Sequence, residues 1–147
     1  MLESANPMTP ASPIEISSRL LIGGVWVFHG LYSKILNGIP RHRMIVGRIF
    51  GDELAGPIVM TIGALEIALG LWALSGRWRI PCALVQTLAI ASMNAIEILR
   101  AKDLLISAVG MLVLNAAFLF LVWCWALRLW VFSETNPRRL NTSADGV

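Results

Sequence analysis

Four apolar stretches of about twenty residues, near Leu20–Leu36, Ala55–Leu74, Ile80–Leu99 and Leu104–Phe132, dominate the chain. Each carries a polar or ionisable side chain near its middle: His29, Glu66, Asn94 and Asn115. Stretches of that length match the thickness of the bilayer's hydrocarbon core, and helices are the form in which such segments satisfy their own backbone. The expected architecture is therefore all-α, a four-helix transmembrane bundle.

Composition removes the main competitor. With 56% hydrophobic and 14% charged residues in a chain of 147, too little polar surface is available for a water-facing domain. Residues 1–17 lack Lys and Arg, carry Pro7, Pro10 and Pro13, and read as a flexible tail rather than a signal peptide. Residues 133–147, rich in Asn, Ser, Thr and Asp, read as a second tail, leaving 18–132 as the membrane domain.

Local punctuation suggests where each span starts and stops. Ser17 and Ser18 are N-cap candidates for the first span, and Asn37-Gly38 with Pro40 ends it. Gly56-Pro57 is expected to open the second span and Ser75-Gly76 to close it, while Pro81 opens the third. Arg100 to Asp103 is short enough to predict a tight hairpin between the third and fourth. In the first loop Ile45, Val46, Ile49 and Phe50 share one helical arc, which predicts a short amphipathic helix at the lipid interface, either an anchor or a lid over the bundle.

Charge defines partners more than topology. The net charge is +3, but the basic residues are scattered rather than striped, so lipid head groups and not nucleic acid are the expected partners. The twelve Lys and Arg divide evenly between the two sides of the bundle and set no orientation. Trp26, Trp72, Trp78, Trp123, Trp125 and Trp130 fall toward the side of the termini and read as an aromatic belt.

Chemistry must come from the intramembrane polar groups, because an unpaired charge there costs several kcal/mol. Gly63, Glu66 and Gly70 share one helical face, so the carboxyl points toward a closely approaching neighbour. His29 lies at similar depth and is expected to hydrogen-bond Glu66. Gln86, Ile90, Met93 and Glu97 form a stripe on the third span with Asn94 beside it. Lys34 either snorkels to head groups or pairs with Glu97. Together these groups are either interhelical glue or a proton relay around a small polar cavity sized for a quinone head group. Cys82 and Cys124 show no Cys-x-x-Cys or metal-ligand spacing, and no metal or other cofactor is evident.

The segment Val25-Trp26-Val27-Phe28-His29-Gly30-Leu31-Tyr32-Ser33-Lys34-Ile35-Leu36 resembles the first-helix signature of the DoxX-like family of small bacterial membrane proteins. Ile39-Pro40-Arg41-His42, Gly63 to Gly70, Met93-Asn94 and the region of Asn115 follow in that family's order, so the likeness runs from about Arg19 to Leu127. The resemblance implies a four-helix bundle in the bacterial inner membrane with both termini in the cytoplasm. It marks His29, Lys34, Glu66 and Asn94 as family-like positions. It also implies an accessory or scaffold subunit that partners membrane redox or stress-response proteins, or a quinone-interacting redox subunit, the family name deriving from a subunit of a thiosulfate:quinone oxidoreductase. Homo-oligomers fit either role; small-solute transport fits less well, since no internal repeat is visible.

Overall fold

The computed structural model describes residues 12–129, and both tails lie outside the described residues except for 12–17. Those six residues correct the first expectation. Helix α1 spans Pro13–Phe28 and begins five residues before Ser18, because Ser12 is the N-cap: its hydroxyl accepts from the Glu15 amide at 3.3 Å, with Pro13 in the first turn. Ser-Pro-x-Glu is a capping-box spacing, but here the Glu15 carboxylate turns away to pair with Arg79.

The chain stays helical past Phe28 but widens into a π-helix over His29–Ile35. The Leu36 amide closes it on the Leu31 carbonyl at 2.8 Å, and Asn37, at φ 51°, then turns the chain. Helix α2, Arg41–Phe50, is the short helix expected in the first loop. It buries Ile45 and Val46, with Val46 packed on Ala55 and Val59, whereas Phe50 is left exposed.

Gly51, at φ 92°, swings directly into α3, Asp52–Ser75. The helix thus starts before Gly56-Pro57, and Pro57 sits inside it. The expectation failed because Asp52 and Glu53 stabilise a helix N-terminus and carry the start upstream of the proline. Gly76, in the left-handed region at φ 67°, ends α3 as its sequence suggests. Arg19 reaches across from α1 and donates its guanidinium to the Leu74 carbonyl, Nε at 3.0 Å, covering an acceptor that the helix end leaves open.

Helix α4 spans Arg79–Arg100. The link to α5, Ala108–Ala126, is longer than a four-residue hairpin: a 3-10 turn at Lys102–Leu104 leads into extended chain before Ser107 caps α5 by accepting from the Gly110 amide at 3.0 Å. Trp130 to Phe132 of the expected fourth span lie outside the described residues.

Helices α3, α4 and α5 are long and apolar enough to cross a membrane. Helix α1 has 16 residues before the π-helix begins. The surface is apolar, with Leu65, Leu88, Val113 and Phe120 all more than half exposed, while Glu66 and Gln86 are buried. Apolar side chains outside and polar ones inside is the arrangement a lipid environment favours.

The tightest packing is between α1 with its π-helix and α3. Glycines meet in two antiparallel pairs, Gly23 with Gly70 and Gly30 with Gly63. A Cβ on Gly63 would lie 2.7 Å from the Gly30 carbonyl oxygen, and one on Gly70 would lie 2.8 Å from that of Gly23. Only hydrogen fits at either crossing. In the half of the bundle nearer the termini, Ile22, Ala73, Cys82, Ala83, Val122 and Trp125 form a fully buried core.

Candidate functional site

A cavity of about 650 Å³ occupies the other half of the bundle. Helix α1 and the π-helix supply Trp26, His29 and Lys34, α3 supplies Glu66, α4 supplies Asn94 and Glu97, and α5 supplies Asn115 and Phe118. Arg41, His42 and Ile45 of α2 line it from the loop side, and Leu105 to Ser107 of the α4–α5 link complete the rim. The amphipathic helix of the first loop therefore borders the cavity.

Six of the seven residues expected from the spans, His29, Lys34, Glu66, Asn94, Glu97 and Asn115, line this space and Gln86 does not, but their pairing differs from expectation. Glu66 bonds not His29 but Lys34, whose ammonium donates to both carboxylate oxygens at 2.7 and 2.8 Å. The side chains of the pair are 10% and 6% exposed. Lys34 thus neither snorkels outward nor pairs with Glu97. The π-helix provides the physical reason: its wider turn changes the angular register after Phe28, so side-chain positions extrapolated at 100° per residue do not hold at Lys34. Such a buried pair keeps its charges only with close, hydrogen-bonded geometry, which these two bonds provide.

The asparagines form a separate connection, Asn115 Nδ2 donating to Asn94 Oδ1 at 2.7 Å and joining α5 to α4. Gln86 does not line the cavity. It lies deeper, accepting from Trp26 Nε1 at 2.8 Å and donating to Cys82 Sγ at 3.2 Å. The single network expected from one polar group per helix is therefore three separate links. Trp26 is interior rather than part of an interfacial belt, as is fully buried Trp125 beneath the Arg79 guanidinium. Trp78, by contrast, is 74% exposed. Cys82 and Cys124 are both free thiols.

His29 has no side-chain hydrogen-bond partner among the described residues and faces His42, with ring centroids 6.4 Å apart. His42 Nδ1 is buried with no hydrogen-bond partner among the described residues. Burial, together with the neighbouring Lys34, His29 and Arg41, pushes the His42 imidazole down to about 4, so it is neutral near pH 7. Sequence reasoning passed over His42 and Arg41. The available signal was that His42 is one of only two histidines and stands on the helix expected to be either an anchor or a lid. No group of three or more His, Cys, Asp or Glu suited to a metal ion occurs among the described residues.

The lining thus combines hydrogen-bonding and ionisable groups with the apolar side chains of Trp26, Ile90, Met93, Met111 and Phe118. Fold and cavity together define a small helical membrane protein whose bundle encloses a largely apolar chamber carrying a few convergent polar groups. The chain belongs to the DoxX-like family, whose model matches residues 23–123. No curated protein and no solved structure matches it.

Proposed function

We propose that this DoxX-like protein is a four-span inner-membrane subunit that holds the head group of a quinone-class ligand in its bundle cavity and serves a partner membrane redox or stress-response enzyme. Helix α1 and the π-helix together form the fourth crossing, with both termini on the cytoplasmic side. The carrying observation is that His29, His42, Lys34 and the Asn94–Asn115 pair converge on one chamber of about 650 Å³, a size ordinary for small-ligand pockets.

A quinone ring suits such a chamber chemically. Its two carbonyl oxygens accept hydrogen bonds, which imidazole N–H, amide N–H and ammonium groups can donate, while its ring faces suit Trp26 and Phe118. Proton exchange with those oxygens would fall to His29 and the Lys34–Glu66 pair. The fully buried core around Ile22, Cys82, Val122 and Trp125 closes the chamber toward the termini, which favours a binding site over a transport path.

Titration of the purified protein in detergent–lipid micelles with ubiquinone-1, read by tryptophan quenching, tests the proposal. Saturable quenching is expected, weakened about tenfold or more by His29→Gln and Glu66→Gln in variants that keep their helical circular dichroism. Absence of saturable binding, or equal binding by both folded variants, leaves the scaffold role, in which Lys34–Glu66, Asn94–Asn115 and Trp26–Gln86 act only to fix helix pairs.

A further inference from the structure

A second hollow of about 430 Å³ lies between α3 and α4. Leu65 and Leu69 form one wall, Val85 and Ala89 the other, and Trp26 of α1 lies at its base. This crevice and the larger cavity share Trp26, Glu66 and Met93 in their linings, so a single layer of side chains separates them. The two hollows meet at the residue whose carboxylate holds Lys34.

The crevice differs from the cavity in offering nothing to a polar ligand. Its two polar side chains are already engaged: Ser92 donates to the Leu88 and Ala89 carbonyls at 2.7 and 3.0 Å, and Glu66 bonds Lys34. Its rim is apolar and outward-facing, Leu65 being 65% and Val85 43% exposed. Helices α3 and α4 are held apart along this length, whereas α1 and α3 are locked at their glycines. The loop-side rim of the cavity, by contrast, mixes Arg41 and His42 with Ile39, Leu105 and Ile106, so a hydrocarbon chain leaving there would desolvate charged and polar groups that the crevice lacks.

We infer that the α3–α4 crevice receives the hydrocarbon tail of the ligand whose head group occupies the cavity, so that the ligand enters sideways from the bilayer. The inference rests on the ligand-binding role above and adds to it that the ligand is a membrane-resident, long-tailed molecule. Met93 and Trp26, between the two hollows, are the side chains that must move as the head passes. Met93 is suited to this by its unbranched, flexible side chain.

The test uses the full-length protein in lipid nanodiscs with tail-less ubiquinone-0, decylubiquinone and a decylubiquinone analogue bearing a diazirine at the end of its tail. Photolysis is expected to label peptides containing Leu65 or Val85, and excess decylubiquinone to suppress that labelling. Ala89→Phe, or Ala68→Phe on the opposite wall, should weaken decylubiquinone binding about tenfold and leave ubiquinone-0 unchanged. Labelling confined to α2 or α5, labelling that decylubiquinone does not compete, or unchanged decylubiquinone binding in both variants overturns the tail path alone. Saturable binding of neither quinone overturns the ligand-binding role with it.

Discussion

Gly63→Ala, set against Gly24→Ala, isolates the close approach that holds the Lys34 segment against α3. A methyl group at residue 63 would lie 2.7 Å from the Gly30 carbonyl oxygen, 2.9 Å from Ile35 Cγ1 and 3.2 Å from Lys34 Cβ, all inside the 3.4 Å at which ordinary contact begins. The Gly30 oxygen is backbone and the Lys34 Cβ is fixed to it, so neither can swing aside; the helices must separate. At Gly24 the same methyl group meets nothing within 4 Å. Both substitutions gain roughly 1 kcal/mol of helix propensity, but only Gly63→Ala incurs overpacking, at about 1–3 kcal/mol. Gly24→Ala should therefore be neutral to stabilising, with Gly63→Ala about 1–3 kcal/mol less stable than it. Reversible unfolding in mixed micelles of rising dodecyl sulfate content, followed by circular dichroism, measures the difference. If Gly63→Ala proves as stable as Gly24→Ala, the glycine contact does not hold α1 to α3.

Three further outcomes follow from the same structure. Lys34→Met should destabilise the protein by about 3 kcal/mol or more by leaving the Glu66 carboxyl unpaired, while Lys34→Met with Glu66→Leu should recover most of that loss; additive losses in the same unfolding assay would count against a coupled buried pair. His42 binds its proton less readily folded, at about 4, than unfolded, at 6.5, so its contribution to stability is complete above pH 6.5 and is lost as pH falls toward 4. His42→Asn should flatten the fall in apparent Tm between pH 6.5 and 5, and an unchanged slope would remove His42 as its source. Cys124, partly exposed, should react with a small membrane-permeant maleimide in the folded protein, whereas buried Cys82 should react only after denaturation, as mass spectrometry of the modified peptides will report.

Much of this arrangement was legible in the residues because mid-span polarity and small-residue spacing have few physical explanations. Gly63 and Gly70 do face a neighbouring backbone, Glu66 on the same face does point at a neighbouring helical segment, and Asn94 and Asn115 do meet. The helix starts were less legible, since Pro57 signals a first turn wherever it stands, and only the acidic pair at Asp52 and Glu53 argues for a start upstream. The partner of Glu66 was illegible for a different reason. Regular periodicity carries no warning that a helix will widen after Phe28, and His29, the nearer residue in depth, was the natural choice over Lys34. His42 escaped because a loop helix was weighed for its apolar arc rather than for what its polar side overhangs.

The π-helix amounts to one surplus residue accommodated within a turn. Excising a single residue between Phe28 and Ile35 would allow an ordinary helix, yet it would rotate everything downstream by about 100° about the axis. Lys34 would then swing off Glu66, and the turn at Asn37 would launch α2 in another direction, away from the chamber it borders. Segment length here is as much a functional specification as side-chain identity, so a shortened variant with every cavity residue intact should still lack the chamber.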